Sequence, residues 1–196
     1  MNGRIVFLLE EQSMKTLLDA LLPRLFPGWV ERQHFLCVQH EGKSDLDKSI
    51  PRKLKAWREP DVRFVVVRDN DGADCVELKT RLAANCAAAG RSDTLIRIVC
   101  QELESWYIGD LEALAIAFDE SKLSSPGMHK RFAAPDEWVK PSQELRRIVP
   151  AFQKIGGARA MAPHLSAARN VSRSFQNFVN GVKRIAEQMG YQVELS

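Results

Sequence analysis

Residues 63–72, RFVVVRDNDG, decide the fold. Residues 63–68 form a short apolar run around three consecutive valines, the composition of a strand buried on both faces. The run stops at Asp69-Asn70-Asp71-Gly72, and an alanine-rich helical stretch over 74–89, closed by Gly90, follows it. That is one strand–helix unit, and three more surround it. Residues 4–9 (RIVFLL) precede Ser13, a candidate N-cap, and an apolar stripe at positions 14, 17, 18, 21 and 22. Residues 34–39 (HFLCVQ) precede 44–57, with Leu46, Ile50, Leu54 and Trp57 on one helix face and Lys48, Arg52, Lys53, Lys55 and Arg58 around the rest. Residues 94–99 (TLIRIV) lead through CQELESW into a helix ending near Phe118. Four such units in series predict an α/β fold, with a parallel sheet of about four strands and helices on both faces. In such sheets the chemistry lies at the carboxyl ends of the strands.

Residues 119–141 carry Ser, Gly and Pro and read as a long connection. Beyond them 142–153, 158–169 and 172–189 read as helices, with Gly156-Gly157 as a break. The expected organisation is an α/β core over 1–118, then a connecting loop and basic helical extension over 119–196 packed on that core. No internal repeat is visible.

Composition narrows the class of protein. The chain has 196 residues, 45% hydrophobic and 27% charged, which is too apolar for disorder. No apolar stretch approaches the roughly 18 residues of a membrane span. The opening MNGRIVFLLEEQS runs into two glutamates rather than a small-residue cleavage site, so it does not read as a signal peptide. Cys37, Cys75, Cys86 and Cys100 show no CxxC spacing, which argues against a zinc knuckle or a disulfide framework and suits free thiols in the cytoplasm. The net charge of +3 hides a division. Residues 138–184 hold nine basic side chains against one acid, Glu144, whereas the preceding 137 residues hold 19 basic and 22 acidic ones.

The acids fall at strand ends: Glu10 and Glu11 after the first, Asp69 and Asp71 after the third, Glu102 and Glu104 after the fourth. In a parallel sheet these ends share one edge, so the carboxylates converge and raise one another's pKa unless a cation joins them. A hard divalent ion, Mg²⁺ or Mn²⁺, suits such oxygen ligands. Acids at strand ends also serve simply to cap the next helix. Three such ends at once, with Asp-x-Asp after the most apolar strand, favour the cation. Within the pairs, Glu10 directly follows its strand while Glu11 is free to face solvent. Glu102 and Glu104, two apart, lie on different helix faces, leaving one to bind metal and the other to cap.

Segments 7–13 (FLLEEQS), 40–57 (HEGKSDLDKSIPRKLKAW), 64–75 (FVVVRDNDGADC), 100–110 (CQELESWYIGD), 138–141 (WVKP) and 172–175 (SRSF) together resemble the small stand-alone Toprim proteins akin to the OLD-family nucleases. The resemblance implies a Toprim sheet, divalent metal, and phosphodiester hydrolysis of DNA or RNA. It also implies a frequent AAA/ABC-type ATPase partner, in the setting of a bacterial defence system. By motif match Glu10 takes the place of the lone Toprim glutamate, and Asp69 and Asp71 that of Asp-x-Asp. Glu11 departs from the pattern, since many Toprim domains have Gly there to let the backbone approach phosphate. No primase zinc element is present, and Tyr107 and Tyr191, the two tyrosines, lie in no recognisable cleavage domain.

The expected catalytic set is therefore Glu10, Asp69, Asp71, Glu104 and Lys154, with Glu10, Asp69, Asp71 and Glu102 or Glu104 holding the metal. Lys140 and Lys154 are candidates for stabilising charge on the scissile phosphate. Arg169, Arg173, Lys183 and Arg184, expected on consecutive helical turns, are candidates for gripping nucleic acid, against the plainer reading of a solvated basic face. The basic helix over 48–58 is a second candidate surface for phosphate or a partner protein. Trp106 reads as a packing anchor rather than a base-stacking platform, and His40 ends a strand near the same edge. There is no Ser-His-Asp order, P-loop or GxGxxG, so any ATP dependence falls to the partner. Two other classes stay open: a non-catalytic metal-binding module that docks to the ATPase, and a phosphate-transfer enzyme acting on nucleotides. No membrane partner is expected, and oligomeric state is not legible.

Overall fold

A computed structural model describes residues 3–194. The four apolar runs form strands β1 (Ile5–Leu9), β2 (Phe35–Gln39), β3 (Arg63–Asp69) and β4 (Leu95–Val99), all parallel, in the order β2-β1-β3-β4. Helices α1 (Gln12–Leu25), α2 (Lys43–Ala56) and α3 (Cys75–Ala88) make the crossovers. Side chains alternate across each strand, so the sheet feeds two cores. Ile5, Phe7, Leu9, Val65 and Val67 face α1 and the C-terminal helices, whereas Val6, Leu8, Phe64, Val66 and Ile96 face α2 and α3. Every residue of β1 is completely buried, which explains an apolar run without polar alternation.

This strand order creates a topological switch. The chain leaves β1 toward β2 through α1 and leaves β3 toward β4 through α3. The two connections diverge over opposite faces and leave a crevice above the adjacent carboxyl ends of β1 and β3.

The C-terminal helices are α4 (Glu104–Ile108), α5 (Leu111–Ala117), α6 (Pro126–Arg131), α7 (Pro141–Ile148), α8 (Lys154–Met161) and α9 (Arg173–Gln188). α8 packs on α1 and α9 on β4. Trp106, 1% exposed, is the centre of this layer. Its ring lies 5.2 Å from Phe175 and 5.1 Å from Phe178, and its indole N–H donates to Ser174 Oγ at 2.9 Å. One continuous cluster contains side chains from both sides of residue 118.

Several local expectations are corrected. Ser13 is not the N-cap of α1: Glu11 holds that position, and Ser13, inside the helix and buried, donates its hydroxyl to the Glu11 carboxylate. The helix expected to end near Phe118 is two helices. A Cβ on Gly109 would meet Asn170 Oδ1 at 2.3 Å, and Asp110 caps a fresh start by accepting the Ala113 N–H. The stretch 119–141 is not plain connection, for it holds α6 and two short 3₁₀ turns. Gly156 and Gly157 lie inside α8 rather than breaking a helix, because the Phe152 ring fills the space beside Gly157. The helices expected over 142–153 and 158–169 end at Ile148 and Met161, leaving Arg169 outside any helix. No helix among the described residues is long and apolar enough to cross a membrane. The leader reading and the outer bounds of the two expected parts include residues 1–2 and 195–196, which lie outside the described residues.

Candidate active site at the carboxyl edge of the sheet

Glu10 follows β1 directly and Asp69 is the last residue of β3, so both rise into the switch crevice. Glu104 opens α4 after the loop that follows β4. All three are buried, at 8%, 6% and 2% exposure, which is unusual for carboxylates and needs compensation. Glu10 Oε2 accepts the Asp69 backbone N–H at 3.0 Å. Asp69 Oδ1 and Glu104 Oε2, both buried, have no hydrogen-bond partner among the described residues.

The electrostatics follow from this crowding. Burial, then the Glu10 and Glu104 charges, hold the Asp69 carboxyl well above the ordinary aspartate range. Burial raises Glu10, opposed by the Asp69 N–H and reinforced by Asp71. Burial pushes Glu104 up to about 7 even though Lys154 pulls it down. At Lys154 burial disfavours the ammonium, but Glu11 and Glu104, with Asp69 behind them, outweigh it and raise its pKa. The Lys154 Nζ lies 3.2 Å from Glu11 Oε2.

Three loops fix this edge. Gly42, after β2, donates its N–H to Glu10 O at 2.9 Å with φ of +96°. Asp71 and Gln101 adopt left-handed φ of +49° and +64°, which non-glycine residues hold only when their surroundings enforce it. Here the Asp71 N–H donates to Gln101 O at 3.1 Å, and the Gln101 N–H donates to the Asn70 side-chain oxygen. Asn70 Nδ2 in turn donates to Ala73 O at 2.8 Å and to Cys75 Sγ at 3.2 Å. The loops after β3 and β4 are thus stitched together through one asparagine.

The remaining expected residues fall in different places. Asp71 points outward, where Lys43 Nζ meets its Oδ2 at 3.0 Å beside a cleft of about 240 Å³. Glu104 faces Asp69, whereas Glu102 turns to α7, accepting the Ser142 N–H at 2.8 Å with Lys140 Nζ 4.0 Å away. Arg169 is engaged internally: its guanidinium meets both oxygens of buried Asp110 at 3.1 Å and the His164 carbonyl at 2.9 Å. Arg173 is exposed at the start of α9. Lys183, paired with Glu187 at 3.8 Å, and Arg184, beside Arg97, lie further along α9 toward the opposite edge, which Gln188 and Met189 reach beside Gly3 and Asp61. His40 donates from Nδ1 to Leu9 O at 2.8 Å, and burial lowers its pKa.

Sequence reasoning overlooked the part that Lys43 and Asn70 play at this edge. The signal for Lys43 was Gly42 before it: a tight turn at the end of β2 brings the fourth strand end to the same side. Glu11, which the sequence left free to face solvent, is half-buried because the first turn of α1 starts at the crevice wall.

As a donor set, oxygen-only carboxylates with two orphaned buried oxygens fit a hard divalent cation. As placed, no three acid, histidine or cysteine side chains among the described residues form a ready ligand group. Residues 9–183 match a family described as a domain of unknown function, DUF4276, and the chain belongs to that family. No curated protein matches the chain, and no solved structure does.

Proposed function

We propose that this DUF4276 protein is a divalent-metal-dependent nuclease that hydrolyses phosphodiester bonds in DNA or RNA. The observation that carries the reading is the convergence of buried Glu10, Asp69 and Glu104 on the switch crevice with the Lys154 ammonium against them. Stacking acids where they suppress one another's ionisation opposes folding, and such arrangements concentrate at functional sites. The all-parallel sheet with carboxylates at the ends of β1 and β3 supports the Toprim resemblance.

In this reading Glu10, Asp69 and Glu104 hold Mg²⁺ or Mn²⁺, with Asp71 joining when it leaves Lys43. One of these side chains must turn in to complete the ligand group. A cation held there would supply Lewis acidity toward the phosphodiester and toward an attacking water. Lys154 exchanges Glu11 for a phosphate oxygen and neutralises charge there. Lys43 and Lys140 flank the same edge and bind neighbouring phosphates, which makes binding steeply salt-dependent. The ATPase partner that the resemblance implies would supply any nucleotide dependence.

The test is a metal-supplemented cleavage assay on plasmid, single-stranded DNA and tRNA, with and without the partner. Cleavage that needs Mg²⁺ or Mn²⁺ and disappears in Asp69→Ala is expected. No cleavage of any substrate, even with the partner, would leave the non-catalytic metal-binding module as the better reading. Cleavage untouched by Asp69→Ala would place the chemistry elsewhere.

A further inference from the structure

All four cysteines are free, and they fall into two kinds. Cys37 and Cys86 are buried, one in each core, where burial holds both thiols above the ordinary range. Cys75 and Cys100 are half-buried and line one groove of about 460 Å³ between α3 and α9. Cys75 is the first residue of α3 and Cys100 the first after β4, so all of α3 and β4 lies between them in the chain. Lys79, Arg97 and Arg173 also line the groove and no acidic residue does. An electropositive, partly open setting is one in which a cysteine reacts rather than merely packs.

The fold brings these two thiols together through Asn70. Register sets Asp69 opposite Val99, and the Asn70 N–H donates to Val99 O at 3.1 Å, which places Asn70 beside Cys100. The Asn70 side chain then reaches both ways. Its oxygen accepts the N–H of Gln101, the residue after Cys100, and its Nδ2 donates to Cys75 Sγ at 3.2 Å. The Cys75 and Cys100 thiols meet at hydrogen-bonding range, with Ser174 also against Cys100. Burial, then the Asp136 charge and Cys75 itself, push the Cys100 thiol up to about 12.

We propose that Cys75 and Cys100 are a peroxide-reactive pair that closes into a disulfide beside the carboxyl edge of the sheet. The Cys75 sulfur attacks one oxygen of hydrogen peroxide, the O–O bond breaks, and Cys75 sulfenic acid forms with release of one water. The Cys100 sulfur then attacks the sulfenic sulfur. An S–S bond forms, the S–O bond breaks, and the Cys100 proton leaves with the hydroxyl as a second water. Two thiols are oxidised and one peroxide is reduced to two waters. Cys100 keeps its proton, so Cys75, with the Asn70 amide aimed at its sulfur, meets the peroxide first and Cys100 resolves the product. Closing the bond draws Cys75 Sγ from Asn70 toward Cys100. Asn70 ties together the loops in which Asp71 and Gln101 hold left-handed backbones, so oxidation loosens that tie. The proposal stands independently of the nuclease reading.

The experiment treats the full chain with a small molar excess of hydrogen peroxide, alkylates the remaining thiols in denaturant, and maps the peptides by mass spectrometry. One disulfide joining Cys75 to Cys100 is expected, with a mass loss of about 2 Da that dithiothreitol reverses and with Cys37 and Cys86 alkylated. Cys100→Ser should stop at Cys75 sulfenic acid, which dimedone traps, and Cys75→Ser should give neither product. Amide hydrogen exchange at Asp71 and Gln101 should quicken in the oxidised wild type and not in peroxide-treated Cys75→Ser. A disulfide to Cys37 or Cys86, or sulfinic acid at Cys75 with Cys100 still free, overturns the pairing. No modification of either cysteine overturns the reactivity. A disulfide that leaves exchange at Asp71 and Gln101 unchanged overturns its link to the carboxyl edge. The wild-type map decides the pairing even where a variant fails to fold.

Discussion

The Glu10 carboxylate accepts the backbone N–H of Asp69 at 3.0 Å, so the first acid of the crevice is held by the main chain of the second. The contact joins two neighbouring strands whose connections diverge, and it sets two carboxyl groups together by geometry rather than by attraction. A charged group is not needed to make that hydrogen bond, which separates the structural part of Glu10 from its chemical part.

Glu10→Gln keeps an acceptor for the Asp69 N–H and removes one charge, so stability in urea unfolding should hold or rise slightly. Glu10→Ala orphans a buried donor and should cost about 1–3 kcal/mol. Both variants should lose metal-dependent cleavage. Equal stability of the two variants would show that the hydrogen bond contributes nothing.

In chelator-treated protein, stability should fall as pH rises from the ordinary glutamate range through about 7, the value to which burial pushes Glu104. The folded-state pKa is raised, so the folded chain keeps a proton that the unfolded chain releases. That contribution is complete below the unfolded pKa and lost above the folded one. Its size is on the order of 3 kcal/mol, with Asp69 and Glu10 acting in the same direction. Thermal melts across this range should flatten in Glu104→Gln; an unchanged slope would rule Glu104 out as its source.

Lys154→Met should barely change stability, because the Lys154–Glu11 pair is solvent-accessible and such pairs contribute about 0–1 kcal/mol. Cleavage should fall by about 10²-fold or more if the ammonium neutralises the phosphate. A loss of stability with unchanged cleavage would reverse that assignment.

The two glycines of α8 should respond oppositely to alanine. At Gly156 a Cβ meets nothing closer than Gln153 Cβ at 3.7 Å, and Gly156→Ala should stabilise by about 0.4–1 kcal/mol. At Gly157 a Cβ would stand 2.1 Å from Phe152 Cε2, so Gly157→Ala should destabilise by about 1–3 kcal/mol. It should also disturb Lys154, which begins the same helix. Paired thermal melts decide both.

What was legible in the sequence was whatever local spacing controls. The valines of β3, the apolar stripe of α1 and the acids at strand ends each declare themselves within a few residues, and with the parallel-sheet rule they lead to the crevice. What stayed hidden depends on partners distant in the chain. Arg169 looks like a solvent-facing cation until Asp110, 59 residues earlier, is found beneath it. Glu102 and Glu104 are equivalent on paper, and the amide of Ser142, 40 residues on, separates them. Part of the basic excess over 138–184 is likewise matched within the chain, as when Glu144 pairs with Arg147.

The anchoring of Trp106 by Ser174, Phe175 and Phe178 also has a consequence in time. A ribosome makes Glu10, Asp69 and Glu104 long before it makes Lys154 and the helix that closes over Trp106. The growing chain therefore carries every acid of the crevice without the wall that seats them. Whatever the crevice does, it does only once α9 has been made.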